Sequence, residues 1–307
     1  MELAGTLILP LVSFLIAFFS SPAGVSGAFL LLPFQVSVLN FTSPSVSSTN
    51  FVYNLIAIPS GVYRYAREDR IVWPLVFTII LGTFSGVFVG AYLRVTYFFD
   101  PKIFKLFVGS VLLYLGLKVL HSVVSPDLKS KELEKKFKER VDAIKREQMK
   151  RLVAGLPKEA VVKTRKVDLK KIEYDFWGET FSFQPLLVFL VTFSVGILSG
   201  IYGIGGGTVI APILSTYFKL PVYTIAGATL LGSFLTSAFG ILSYYLTGYP
   251  PDWRIGLAFG FGGIFGMYFG ARFQKYMPLK AVKVVLSAIV LGVAVNYILQ
   301  FFGITTP

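Results

Sequence analysis

The hydrophobic pattern divides the chain into two apolar blocks around a polar insert. Block one runs from about Leu3 to Val124, the insert from Ser125 to about Phe176, and block two from about Phe181 to Phe302. In block one, long apolar stretches lie at Val46–Tyr65, Ile71–Tyr92 and Ile103–Val124; block two has counterparts at Val222–Leu246, Ile255–Phe273 and Leu279–Phe302. Each is close to the roughly 20 residues with which a helix crosses a hydrocarbon core of about 30 Å. The runs are continuously apolar rather than alternating, which disfavours the strands of a barrel. The pattern therefore predicts an all-α, polytopic integral membrane protein. Its units are a first transmembrane repeat over 1–124, an insert over 125–176 and a second transmembrane repeat over 177–307.

The blocks repeat each other in detail. Pro10-Leu-Val-Ser-Phe-Leu matches Pro185-Leu-Leu-Val-Phe-Leu in character, and Ala23–Pro33 aligns without gaps on Tyr202–Pro212. The same spacing sets Gly61 on Gly240 and Tyr65 on Tyr244; a one-residue adjustment then sets Gly86, Gly90 and Ala91 on Gly266, Gly270 and Ala271. Ordered Gly and Pro matches are not expected from apolar composition alone, and internal duplication is common among transporters.

Each repeat opens unusually. Residues 3–40 are too many for one straight crossing, yet a Gly/Pro break leaves two short pieces; residues 183–219 do the same. The sequence predicts, in each half, a Gly-broken helix pair or re-entrant hairpin followed by three transmembrane helices. The turns fall at Gly24–Gly27 and Gly203–Gly207. Irregular backbone at membrane depth persists only where protein or a water-filled cavity satisfies its amides. Interrupted segments at equivalent positions are the best sequence pointer to a transport site.

Composition supports the membrane reading. The chain of 307 residues is 54% hydrophobic and only 15% charged, against roughly a quarter charged in soluble domains. The first apolar run lacks a basic leader, so no cleavable signal peptide is expected. The absence of cysteine removes disulfides, haem attachment and thiolate metal sites; no metal or other cofactor is called for. The net charge of +13 comes largely from the block Lys129–Lys171 and short loops, not from a nucleic-acid surface. The loops with Arg64, Arg67 and Arg70 and with Arg272, Lys275 and Lys280 are basic, whereas Thr247–Trp253 and Val95–Pro101 carry no basic residue. With the insert in the cytoplasm of a multi-pass cell-membrane protein, both basic loops fall inside only if the two repeats are inverted relative to each other. Within the insert, Leu133, Phe137, Val141, Ile144 and Leu152 predict an amphipathic helix, ended near Gly155 and Pro157, lying on the cytoplasmic face.

The candidate chemistry gathers around the breaks. Gly203-Ile-Gly-Gly-Gly207 has no preceding strand and no acidic partner, so a dinucleotide fold is not indicated. Glycines nevertheless let backbone approach a ligand, and amides at a helix start favour an anion. The segment after Gly207, beginning with Thr208, and its counterpart near Ala28 would each present such an end. In the next crossing of each half, Asn50 pairs with Thr229 and Asn54 with Ser233, one turn apart and on one face. The candidate substrate-binding set is therefore Gly24, Ser26, Gly27, Asn50 and Asn54 with Gly203, Gly205, Gly206, Gly207, Thr208, Thr229 and Ser233. Ordinary helix packing and interhelical hydrogen bonding are the plainer roles for such residues, and Gly82, Gly86, Gly90, Gly262, Gly266 and Gly270 fit packing better. No Asp or Glu stands within a predicted span, so a carboxylate proton relay is hard to build. No catalytic residue is assigned. Gly24-Val-Ser-Gly27 resembles the G-x-S-G of rhomboid-type intramembrane proteases, but a serine nucleophile needs a base. The single histidine, His121, falls at the cytoplasmic end of its span.

The element Gly203-Ile-Gly-Gly-Gly-Thr-Val-Ile-Ala-Pro212, the polar helix after it and the turn from Gly248 to Trp253 resemble the TauE/SafE family of sulfite exporter permeases. The degenerate copy in block one, with Ser26 and Ala28 where glycines are typical, and the basic central loop are also similar. The resemblance covers nearly the whole chain apart from the insert. It implies a permease for sulfite, sulfonates and related sulfur-containing organic anions. The residues themselves reach only a small anion held at paired helix starts and moved by alternating access. A rhomboid-like serine protease and a passive anion channel are the rival readings. The expected partners are the small anionic substrate and the lipid bilayer, with no nucleic acid; a homodimer stays open.

Overall fold

The computed structural model describes residues 3–20, 27–59, 62, 71–124, 162–176, 179–273 and 279–305. The first half contributes α1 (Leu3–Ser20), α2 (Ala28–Ser37), α3 (Ser45–Ala57), α4 (Trp73–Thr96) and α5 (Pro101–Val124). Strands β1 (Lys163–Val167), β2 (Ile172–Phe176) and β3 (Glu179–Phe183) follow. The second half adds α6 (Pro185–Tyr202), α7 (Gly207–Thr216), α8 (Val222–Leu246), α9 (Trp253–Phe273) and α10 (Leu279–Phe301). Five of the described helices are long and apolar enough to cross a membrane. The chain is a mostly helical, polytopic membrane protein.

The partition of side chains is that of a protein dissolved in lipid. Leu81, Leu117, Leu257, Phe261 and Ile289 lie exposed on the long helices, while Ser13, Asn50, Asn54, Thr83, Ser233 and Ser237 are buried between them. Hydroxyls and carboxamides without a partner in hydrocarbon are costly, so they turn inward, and the apolar faces need no cover.

Glycine rows set the closest helix contacts. On α4, Gly86 faces Gly196 of α6 so closely that a Cβ on it would lie 2.9 Å from the Gly196 carbonyl carbon. On α9, Gly266 meets Phe14 and Ala17 of α1. These are corresponding contacts with the halves exchanged: the fourth helix of each half packs on the opening helix of the other. Small residues at helical spacing let backbones approach, which is the main source of helix association in lipid. Gly82, Gly90, Gly262 and Gly270 extend the same two rows.

Contacts also fix direction. On α3 and α8, Asn54 lies near Ser237 across Gly205, and Phe51 meets Gly240, so these equivalent helices run antiparallel. On α5 and α10, Gly109 meets Tyr297 and Gly116 meets Val290, again antiparallel.

Helix α6 runs parallel to α4, and α4 parallel to α8, through Gly82–Thr192 and Thr83–Thr236. By contrast α7 runs against α8, as Gly205 and Gly207 meet Ser237 and Ser233 in turn. The second break is therefore a hairpin, with an arm of 18 residues and a returning arm of 10. In the first half α1 and α2 have the same two lengths. Both short arms end alike: Asn40 (φ 51°) and Lys219 (φ 53°) occupy corresponding places in the left-handed region. Phe41 N bonds Gln35 O at 3.0 Å, and Leu220 N bonds Leu214 O at 3.3 Å.

The antiparallel sheet β1-β2-β3 is an addition to the all-helical expectation. It straddles the expected boundary between insert and second repeat, because β2 pairs with β3 from Ile172↔Phe183 to Phe176↔Glu179. Its cause is local: Ile172, Tyr174 and Phe176 alternate with Glu173 and Asp175, giving one buried and one wet face. The buried face joins the main core, and the Tyr174 hydroxyl meets Thr224 Oγ1 at 3.0 Å near the start of α8. Burial raises the Tyr174 phenol above its ordinary value, offset in part by the Thr224 bond. On the wet face, the hydrogen bond and charge of Lys171, 2.8 Å away, hold the Glu173 carboxyl below its ordinary value. The expected amphipathic helix at Leu133–Leu152 lies outside the described residues.

Candidate functional site at the glycine breaks

The hairpin tip of the second half is shaped by glycine. Gly203 (φ 87°), Gly205 (φ 80°) and Gly206 (φ 80°) all take left-handed backbone, which other residues adopt only at a cost. Gly203 N caps α6 on Ser199 O at 2.6 Å, and Gly206 O accepts the Val209 and Ile210 amides that start α7, each at 3.0 Å. The Gly207 amide donates to Ser233 Oγ at 2.7 Å and to Gly205 O at 3.0 Å. Among the described residues, no acceptor takes up the amides of Ile204, Gly205 or Gly206.

The polar positions of α3 and α8 meet this tip. Asn50 Nδ2 donates to Gly203 O at 3.2 Å and to Ala28 O at 2.8 Å. One carboxamide thus touches both breaks, at the first residue of α2 and the first residue after α6. Asn54 Nδ2 donates to Gly203 O at 3.3 Å, and Asn54 Oδ1 is buried without a partner. Ser233 takes the Gly207 amide, and Thr229 back-bonds Ile225 O at 3.0 Å, one turn below it.

Most of the sequence-selected residues converge. Asn50 and Asn54 meet Gly203, Asn54 and Ser233 meet Gly205, and Ser233 meets Gly207; Thr229 joins them through its backbone beside Gly207, and Gly206 completes the tip. Gly27 precedes α2 in right-handed backbone (φ −58°), unlike its counterpart Gly206. A Cβ there would press on Tyr53, 3.1 Å from Cζ. Gly24 and Ser26, and the Thr208 side chain, lie outside what is described. His121 is exposed in the last turn of α5, whereas the breaks lie among buried groups.

Several contributors lie outside the candidate set chosen from the sequence. Gln35 Nε2 bonds Asn50 Oδ1 at 3.4 Å, and its own Oε1 is buried without a partner. Tyr202 donates to Phe29 O at 2.8 Å, Ser47 to Ile201 O at 2.7 Å and Tyr244 to Gly200 O at 2.7 Å. These side chains tie the hairpin to α2, α3 and α8. Gln35 carries a signal that could have found it: one carboxamide in an otherwise apolar short helix. Tyr244 stood out only as the repeat counterpart of Tyr65, and Tyr202 carries no signal of its own, since aromatic residues are common in membrane helices.

The arrangement is a neutral, buried, donor-rich tip at the meeting of both halves, suited to hold a small solute that accepts hydrogen bonds. A family profile, Sulfite exporter TauE/SafE, matches residues 9–297. Two Bacillus subtilis (strain 168) proteins are similar over part of the chain. Probable membrane transporter protein YunE is 27% identical over 121 residues, 39% of this chain and 44% of that protein. Probable membrane transporter protein YdhB is 29% identical over 117 residues, 38% of this chain and 47% of that protein. The matched region thus spans less than half of either relative. No solved structure matches the chain. With the profile covering nearly all of both helical halves, the chain belongs to the sulfite exporter TauE/SafE family.

Proposed function

We propose that this protein is a carrier of small anions, of the class of sulfite, sulfonates and related sulfur-containing organic anions. The observation that carries the reading is the tip of the α6–α7 hairpin. Three consecutive amides without acceptors among the described residues precede a helix start, inside a buried neutral site. Amides at a helix N-terminus stabilise negative charge through both hydrogen bonds and dipole. In this reading Asn54 and Ser233 orient the solute, and Asn50 links its movement to both halves. Gly24, Ser26, Gly27 and Thr208 complete the set.

The carrier works by alternating access between inverted repeats. Support comes from the antiparallel contacts of α3 with α8 and of α5 with α10, since equivalent helices oppose each other only if the halves are inverted. The basic insert would face the cytoplasm of a cell-membrane protein. Proteoliposomes assayed for sulfite and sulfoacetate flux test the reading. Saturable flux, stimulated by the same anion on the far side and lost in Gly206→Leu and Thr229→Val, is expected. Flux indifferent to both substitutions would remove this site, and an ohmic, unsaturable current would replace the carrier with a channel.

A further inference from the structure

Arg94 is fully buried and is the largest such side chain described. It lies in the last turn of α4, toward the face of the protein opposite the β-sheet: the sheet docks near the start of α8 through Thr224, and Arg94 lies by its far end, near Tyr244 and Tyr249. Its Nη2 donates to Thr42 O at 2.8 Å, in the α2–α3 loop, and its Nη1 to Phe98 O, in the α4–α5 turn. The guanidinium carbon sits 3.6 Å from the centroid of the Phe104 ring. Its Nε is buried without a partner, and no carboxylate pairs with it among the described residues.

A staple between two loop carbonyls needs only neutral N–H donors. An asparagine or glutamine would supply them without the cost of burying an unpaired charge. Retaining a buried cation here with no carboxylate beside it is costly unless the charge has a use. Both loops that hold Arg94 must move if this face opens. A freed guanidinium presents a planar fork that matches two oxygens of a sulfonate or sulfite. The hydrogen bond from Tyr244 to Gly200 connects the same corner to the arm that carries the glycine tip.

We propose that Arg94 receives the anion at the face opposite the sheet: two loop carbonyls hold its guanidinium in the closed conformation, and the oxyanion takes their place when that face opens. The inference rests on the anion-carrier reading, and the test separates the two. Sulfoacetate saturation is measured from each face in proteoliposomes of known orientation, for wild type, Arg94→Gln and Arg94→Lys. Arg94→Gln should raise KM at the Arg94 face about tenfold or more, the size of a lost charge-assisted bond, with KM at the sheet face nearly unchanged. Arg94→Lys, which keeps the charge but not the fork, should fall between. It carries the same comparison if the glutamine variant does not fold. Equal changes at both faces, as a loosened staple would give, or no change at all, overturn the role of Arg94 alone. Absence of saturable flux in the wild type overturns the carrier reading and this inference together.

Discussion

The carboxamide of Asn50 donates to the carbonyl of Gly203 across 3.2 Å, joining the polar helix of one half to the hairpin tip of the other. The same nitrogen reaches Ala28 O at 2.8 Å, so a single side chain holds both interrupted segments. Leucine at this position would fill similar space and leave two buried carbonyls without that donor. Asn50→Leu should lower stability by about 1–2 kcal/mol, read as a lower Tm in detergent, and abolish most anion flux. A variant with unchanged Tm and flux would show that the bridge is incidental.

Backbone conformation separates the tip glycines from the packing ones. Gly203 has φ 87°, and a Cβ there would collide with Ser47 O. Gly203→Ala should cost at least about 1–2 kcal/mol from the left-handed backbone alone. Gly292, within α10, has nothing within 4 Å of an added Cβ. Gly292→Ala should therefore be neutral or raise stability by up to about 1 kcal/mol through helix propensity. Thermal unfolding of the two variants side by side checks the contrast.

The sheet is docked by alternate residues of β2, and Tyr174 is its buried polar contact with the helices. Tyr174→Phe should cost about 1 kcal/mol, the net worth of one hydrogen bond. Tyr174→Ala should cost about 3–5 kcal/mol through lost packing and release the sheet. Limited tryptic digestion reports this directly, because β1 carries exposed Lys163, Arg165 and Lys166. Cleavage there should quicken in the alanine variant and change little in the phenylalanine one.

Much of this architecture was legible because lipid enforces simple rules. Long apolar runs had to be helices, so α4, α5, α8, α9 and α10 fall close to their predicted stretches. Equal spacing of glycines and prolines gave the repeat, and Gly86 and Gly266 do occupy corresponding contacts. The pairing of Asn50 and Asn54 with Thr229 and Ser233 located most of the tip, because buried polar groups in apolar helices must face one another. What stayed hidden was set by tertiary contact. Arg94 reads as an ordinary basic residue at a helix end until Thr42 and Phe98 are seen to enclose it. The strand pattern of Ile172–Phe176 was masked by the surrounding charge, and only docking on Thr224 makes its alternation meaningful. The Gly207 amide, expected at a helix start to face an anion, is instead satisfied by Ser233, so only the preceding amides of the turn lack an acceptor among the described residues.

The most direct test of the central claim uses the absence of cysteine from the chain. Ser233→Cys places one thiol at the tip, where it can be titrated in oriented vesicles with a membrane-impermeant maleimide added to either face. Labelling from both faces is expected, slowed from each by sulfoacetate. A thiol that reacts from neither face, or at a rate indifferent to the anion, would contradict that claim.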